Sequence, residues 1–291
     1  MEKVFIAGCG YIGIRVARRC RQLGAEVSCM VRSAEHSADL DKAGFKSMAC
    51  TLDTLPFNPM EGVAGSTVFY FVPPPGGGIV DTRARNFCSH LSRQAAPEKI
   101  VYVSATSVYA PAAGTVVTEE SPAIPKSVRG QRRLDAERTF AAYAEASGVK
   151  LVILRVSGIY GPGRLPLTHV LQRLPVLLEA EAGLSNRIHA DDLANICMAV
   201  AEKGEAGEIF NISDGRPRSL TAYFNAVADA LSQPRPPQIT FQQAQQVMAP
   251  LMLSYYGESH IIDNRRMLDR LGVSLLYPDM ESGIRASVEV N

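Results

Sequence analysis

The chain is poor in everything that would tie it to a polyanion, a membrane or an oxidising compartment. Thirty Lys and Arg stand against 29 Asp and Glu, a formal charge of +1 at pH 7. Neither sign is in surplus, so nothing argues for nucleic acid or an anionic membrane surface as partner. No apolar run reaches the roughly 18 residues that a membrane-crossing helix needs. The first residues lead straight into a strand-like segment and lack the layout of a secretory signal. The resulting expectation is a cytoplasmic protein, monomer or homodimer, acting on a small molecule. Six cysteines (Cys9, Cys20, Cys29, Cys50, Cys88, Cys197) lie scattered without a CxxC pair. They read as buried free thiols, neither a disulfide frame nor a metal site. There is no internal repeat.

What the chain does have is a sizeable core. Of its 291 residues, 46% are apolar and 20% charged, which suits one large domain or a core domain with a cap. Its most informative stretch is the first. Val4, Phe5, Ile6 and Ala7 form an apolar run, Gly8-Cys9-Gly10-Tyr11-Ile12-Gly13 follows at once, and an amphipathic segment extends from Ile14 to Leu23. That order is strand, glycine turn, helix. Gly8 suits a tight turn, Gly10 a backbone that approaches a pyrophosphate, and Gly13 close packing of helix on strand. A helix N-terminus with free N–H groups then attracts the phosphates. Gly8 through Gly13 are therefore the first candidate dinucleotide contacts.

Further strands are expected at 25–31, 46–50, 66–72, 99–103, 150–156 and 208–212, with helices at 35–43, 81–94, 130–146, 166–178 and 220–231. Another helix opens at His189-Ala190-Asp191-Asp192 and runs to Lys203, and a last one opens near Ile262. The stretch 114–125 reads as turns and 233–246 as a Pro/Gln-rich segment. This alternation predicts a doubly wound parallel α/β sheet of the Rossmann type over residues 1–160, with 187–212 returning to it. A smaller substrate or cap domain is expected from 161–186 and 213–291. Ligands of such sheets lie off the carboxyl ends of the strands, so Asp53, Val72 and Pro73 join the candidate cofactor contacts. The second strand ends in Arg32-Ser33, where an NAD enzyme places an acid on the ribose. Arg32 and Ser33 suit a 2′-phosphate instead, which puts NADP ahead of NAD.

Several pieces together resemble the short-chain dehydrogenase/reductase superfamily, in its extended branch of NAD(P)-dependent epimerases and dehydratases. They are the glycine turn, Val101-Tyr102-Val103-Ser104 leading to Val108-Tyr109, Leu134 with Glu137, Arg155 through Gly163, and His189 through Ala194. The glycine spacing is the one-shorter form of the superfamily's atypical members. The family's catalytic Tyr-x-x-x-Lys pair is missing. The register set by Leu134 and Glu137 puts Arg129 at the tyrosine position and Arg133 at the lysine position. The family's serine position holds Ala105, flanked by Ser104 and Thr106. An arginine stays charged at any working pH and cannot replace the tyrosine as acid/base.

Two readings follow from this resemblance. In the first, the chain is an atypical oxidoreductase or epimerase/dehydratase acting on a small polar or sugar-like substrate. Ser104 or Thr106 holds the substrate oxygen, Tyr160 or water moves the proton, Arg133 holds the cofactor and Arg129 an anionic substrate group. In the second, the chain is a catalytically silent dinucleotide-binding sensor or partner protein.

Overall fold

Val4 through Ala7 are at most 1% exposed, which a strand achieves only when both faces of its sheet are covered. The structure, a computed structural model, describes residues 1–54, 60–91, 96–257 and 259–289. Seven strands make one sheet: β1 (Lys3–Ala7), β2 (Glu26–Val31), β3 (Lys46–Ala49), β4 (Thr67–Tyr70), β5 (Lys99–Ala105), β6 (Lys150–Val156) and β7 (Ile209–Ile212). Their order across the sheet is β7-β6-β5-β4-β1-β2-β3, and every neighbouring pair is parallel. This is the expected Rossmann-type sheet, and its strand order reverses beside β1.

The helices are α1 (Gly13–Gln22), α2 (Ala34–Lys42), α3 (Thr82–His90), α4 (Val128–Ser147), α5 (Leu167–Leu171) and α6 (Ala190–Lys203). They continue with α7 (Leu220–Ala230), α8 (Phe241–Val247), α9 (Pro250–Tyr256), α10 (Arg265–Leu271) and α11 (Met280–Glu289). Successive strand side chains point to opposite faces, and the core divides accordingly. Val4 and Ile6 pack with Val16 and Ala17 of α1 and Cys197 and Val200 of α6. Phe5 and Ala7 belong to the other face, with Phe87 of α3 and Phe140 of α4. There Tyr70 and Tyr102 bracket the Phe140 ring at centroid distances of 4.9 and 4.8 Å, within the range of favourable aromatic pairs.

A second apolar cluster gathers Tyr160, Val170 and Val176 with Tyr223, Phe224 and Val227 of α7 and Met280 and Ile284 of α11. Between the two clusters the chain returns to the sheet. Arg187–His189 pairs in parallel with Gly158–Tyr160, α6 packs against the same core face as α1, and β7 adds to β6. Lys99, buried at the start of β5, donates from Nζ to the carbonyls of Ala201 and Gly204 at 2.8 and 2.9 Å. It thereby places a cation at the C-terminal end of α6.

Several expected elements differ. The helix read at 166–178 is only the five residues of α5, because Arg173 turns to φ +52° and Pro175 follows. Val176–Leu177 then pairs with Gln238–Ile239. Thr115–Val117, read as turns, pairs with His260–Ile262. The Pro/Gln-rich segment holds α8, opened by a capping box of Thr240 and Gln243. α9 and α11 were not expected at all. Of the helix read at 81–94, residues 92–94 lie outside the described residues. All six cysteines are free, and Cys50 is half-buried while the others are buried. Among the described residues no helix is long and apolar enough to cross a membrane, and no group of three His, Cys, Asp or Glu is set to hold a metal.

Candidate dinucleotide site

The strand-turn-helix unit at the N-terminus is built as its glycines require. Gly8 sits at φ +87°, where a Cβ would lie 3.0 Å from the backbone nitrogen of Val72. Both Gly8 and Cys9 donate from their backbone N–H to the carbonyl of Met30, at 2.9 and 3.0 Å, which folds the turn over the end of β2. A Cβ on Gly13 would meet the Gly8 carbonyl at 2.6 Å, so only glycine lets α1 start this close to the turn. Gly10, by contrast, would carry a Cβ into open space, with nothing within 4 Å. No side chain caps α1 and its first turn has no acid. Its N-terminal N–H groups and the helix dipole are thus left to an anion.

These groups open into a cavity of about 480 Å³, off the carboxyl ends of β1, β2 and β4. Gly8, Cys9, Gly10, Tyr11 and Ile12 line it, whereas Gly13 is buried behind the turn. The residues present fit a dinucleotide: an open backbone at Gly10, an uncapped helix N-terminus and a cleft large enough for a bound ligand.

At the β2 end, Arg32 lines the cavity and is exposed. Ser33 is the N-cap of α2 and accepts from the His36 N–H at 3.3 Å. It does not line the cavity, but His36, one turn on, does. Asp53 lines it too, held by Arg83 through two bonds, Nε to Oδ1 at 2.6 Å and Nη2 to Oδ2 at 3.1 Å. The guanidinium keeps the Asp53 carboxyl below its ordinary pKa. The same Arg83 donates from Nη1 to the Pro73 carbonyl at 3.0 Å, fixing the loop after β4, where Val72 and Pro73 complete the wall. Sequence reading missed Arg83 and His36.

The far end of the cavity is lined by Phe71, Val103, Ile159, Arg133 and Arg164. Arg133 reaches it from α4 and donates to the Val103 carbonyl at 3.0 Å. Arg164, also missed, lies over the Tyr11 ring at 4.7 Å, and Arg15 lies over the same ring at 4.1 Å. The Tyr11 hydroxyl donates to the Pro162 carbonyl at 2.9 Å. Burial raises its pKa above the ordinary tyrosine value.

The four residues expected to touch the substrate, Ser104, Thr106, Tyr160 and Arg129, do not line this cavity. Ser104 is 2% exposed and donates its hydroxyl to Glu137 Oε1 at 2.6 Å, so its proton is committed inside the fold. Tyr160 requires the larger correction. It is fully buried in the second core, edge-on to His189 and Tyr223, and its hydroxyl points to the Asp279 carbonyl at 3.5 Å. Burial pushes its pKa well above the ordinary value, and an acid sealed in an apolar core cannot reach a substrate. Thr106, half-buried, opens a short 3-10 turn after β5. Arg129, in the first turn of α4, stacks on Tyr255 of α9 at 4.5 Å, outside the cavity wall.

Residues 84–213 match the model of the NAD dependent epimerase/dehydratase family. The dTDP-D-glucose 4,6-dehydratase of Mus musculus is 32% identical over 128 residues, which cover 41% of this chain and 36% of the relative. The matched part thus spans about a third of that protein's length. A functionally unknown conserved protein from Silicibacter pomeroyi DSS has the same fold, with a TM-score of 0.84 at 24% identity over 100% of this chain and 99% of its own. MoeE5 in complex with UDP-glucose and NAD gives a TM-score of 0.78 at 22% identity, over 99% of this chain and 97% of its own. At these identities the likeness of the two structures is one of fold.

Proposed function

We propose that the protein, whose residues 84–213 match the NAD dependent epimerase/dehydratase family, binds a nicotinamide dinucleotide in its cavity of about 480 Å³ and uses it on a sugar-like or other small polar substrate. The observation that carries this reading is the continuity of the cavity. It runs from the uncapped N-terminus of α1, past Arg32 and Asp53, to Arg133 and Arg164.

In this reading the backbone of Gly8 to Ile12 holds the pyrophosphate, and Arg32 with neighbouring His36 meets a 2′-phosphate, favouring NADP. The bound dinucleotide supplies or accepts a hydride at its nicotinamide ring. Arg133 keeps a permanent positive charge at that end and stabilises negative charge developing on a substrate oxygen without itself giving up a proton. The proton then comes from water.

Fluorescence titration with NADPH and NADH, followed by turnover assays on a panel of sugar nucleotides, tests the proposal. Saturable binding with cofactor consumption supports it, and no binding of either dinucleotide overturns it. A second reading, a dinucleotide sensor without turnover, is favoured by the withdrawal of Ser104 and Tyr160 from the cavity. Tight binding with no consumption on any substrate would select it.

A further inference from the structure

Three of the four arginines of α1 share one helix face, since Arg15, Arg18 and Arg19 are spaced i, i+3 and i+4. They border a cavity of about 300 Å³ on the outer side of that helix, closed by His189, Asp191 and Tyr277. This cavity shares no lining residue with the dinucleotide site. Tyr11 is the partition between them: its hydroxyl holds Pro162, which faces the outer cavity, and Arg15 covers its ring.

The charges on this face do not balance. Arg15 Nε and Arg19 Nη2 both lean on one oxygen, Oδ1 of Asp191, each at the long distance of 3.3 Å. Arg18 is exposed and makes no hydrogen bond or ion pair among the described residues. Three guanidinium groups therefore face one carboxylate. The cavity also lies against the N-terminus of α6, a helix of 14 residues, whose N-cap is His189, so the helix dipole adds to the same field. His189 contributes no countercharge. Its Nδ1 accepts from the Asp191 N–H at 3.2 Å, the arrangement of a neutral ring.

We propose that this cavity is a second, separate anion site that takes the phosphate of a small phosphorylated molecule. Guanidinium groups bind phosphate through paired, charge-assisted N–H bonds, and Arg18, with Arg15 and Arg19 turning from their shared carboxylate, supplies them. The volume equals that of about ten water molecules. That leaves room beside the phosphate for a short polyol or pentose against the half-buried ring of Tyr277. The proposal does not depend on the activity proposed above.

The test is calorimetric and thermal-shift titration of the full chain in a phosphate-free buffer at constant ionic strength, with inorganic phosphate and glycerol 3-phosphate as probes. Both probes are expected to bind saturably. Arg18→Ala should weaken both by about tenfold, the loss of one charge-assisted contact. Asp191→Asn should strengthen both several-fold by releasing Arg15 and Arg19. Arg32→Ala, in the other cavity, should leave the Arg18-dependent binding in place. Absence of saturable binding overturns the proposal, as does binding that is lost in Arg32→Ala and kept in Arg18→Ala. Binding of phosphate with rejection of glycerol 3-phosphate overturns the assignment to a phosphorylated molecule.

Discussion

The hydroxyl of Ser104 donates to Oε1 of Glu137 across 2.6 Å, and the two residues are 2% and 4% exposed. Their bond is one end of a buried chain. Arg155 grips Glu137 with Nε and Nη2 at 3.1 and 2.8 Å and donates from Nη1 to the Tyr109 hydroxyl at 2.8 Å. Tyr109 in turn donates to Asn211 Oδ1 at 2.9 Å. The network joins β5, α4, β6 and β7 behind the far end of the cavity. Such chains are stable when every member is satisfied and costly when one is removed.

Ser104→Ala is therefore expected to lower stability by about 1–2 kcal/mol while leaving dinucleotide affinity unchanged. Chemical denaturation and NADPH titration of the same variant check both. A variant of unaltered stability with impaired turnover would return Ser104 to the substrate.

The Glu137–Arg155 pair gives a second expectation. Glu137→Leu and Arg155→Met alone should each cost about 3–5 kcal/mol, because each leaves a buried charge without its partner. Combined, they should lose clearly less than the sum of the two. A double-mutant cycle measures the difference, and strict additivity would refute the coupling.

The glycine turn separates fold from binding. Gly13→Ala drives a Cβ to 2.6 Å from the Gly8 carbonyl and should lower both melting temperature and dinucleotide affinity. Gly10→Ala meets nothing within 4 Å. It should melt like the parent, yet bind dinucleotide roughly tenfold more weakly, about 1.4 kcal/mol. If Gly10→Ala bound normally, the pyrophosphate would not cross this turn.

Arg32→Ala should weaken NADP by about tenfold and spare NAD. Arg32 is exposed, and solvent screening keeps the contact near the lower end of a charge-assisted bond. Parallel titrations with both dinucleotides decide the matter. An equal loss for both would mean that Arg32 reads no phosphate.

A pH dependence attaches to His189. Burial depresses its pKa from 6.5 to about 4, with Asp191 opposing and Arg15 reinforcing the shift. The neutral ring's contribution is thus fully present above pH 6.5 and is lost as pH falls through about 4. Its size is on the order of 2–3 kcal/mol. Asp214, which burial raises to about 6, acts in the opposite sense, because the folded state takes up its proton first. Comparison with His189→Gln removes that background. The stability gap between parent and variant should be widest near pH 7 and shrink toward pH 4, and a constant gap would contradict it.

The parts of the fold that were legible are those written in adjacent residues. The apolar runs ending at Ala7 and Val72 gave strands because a strand buried on both faces must be apolar throughout. The glycine turn was legible because steric demands at Gly8 and Gly13 act within a few residues. α8 and α9 escaped notice for the converse reason. They are seven residues each, too short for an apolar period to stand out, and only the Thr240/Gln243 box marked one of them.

The site divides in the same way. The sequence alone determined the sheet, the glycine turn and the absence of a Tyr-x-x-x-Lys pair, since each is a matter of which residues stand side by side in the chain. Tertiary structure alone decided which polar groups remain available at the cavity. Ser104 meets a glutamate 33 residues away, Asp53 an arginine 30 residues away, and Tyr160 a carbonyl 119 residues away. A hydroxyl or carboxylate has the same chemistry in any sequence, but whether it faces a ligand or is already bonded inside the core depends on partners that only folding brings within 3 Å or so.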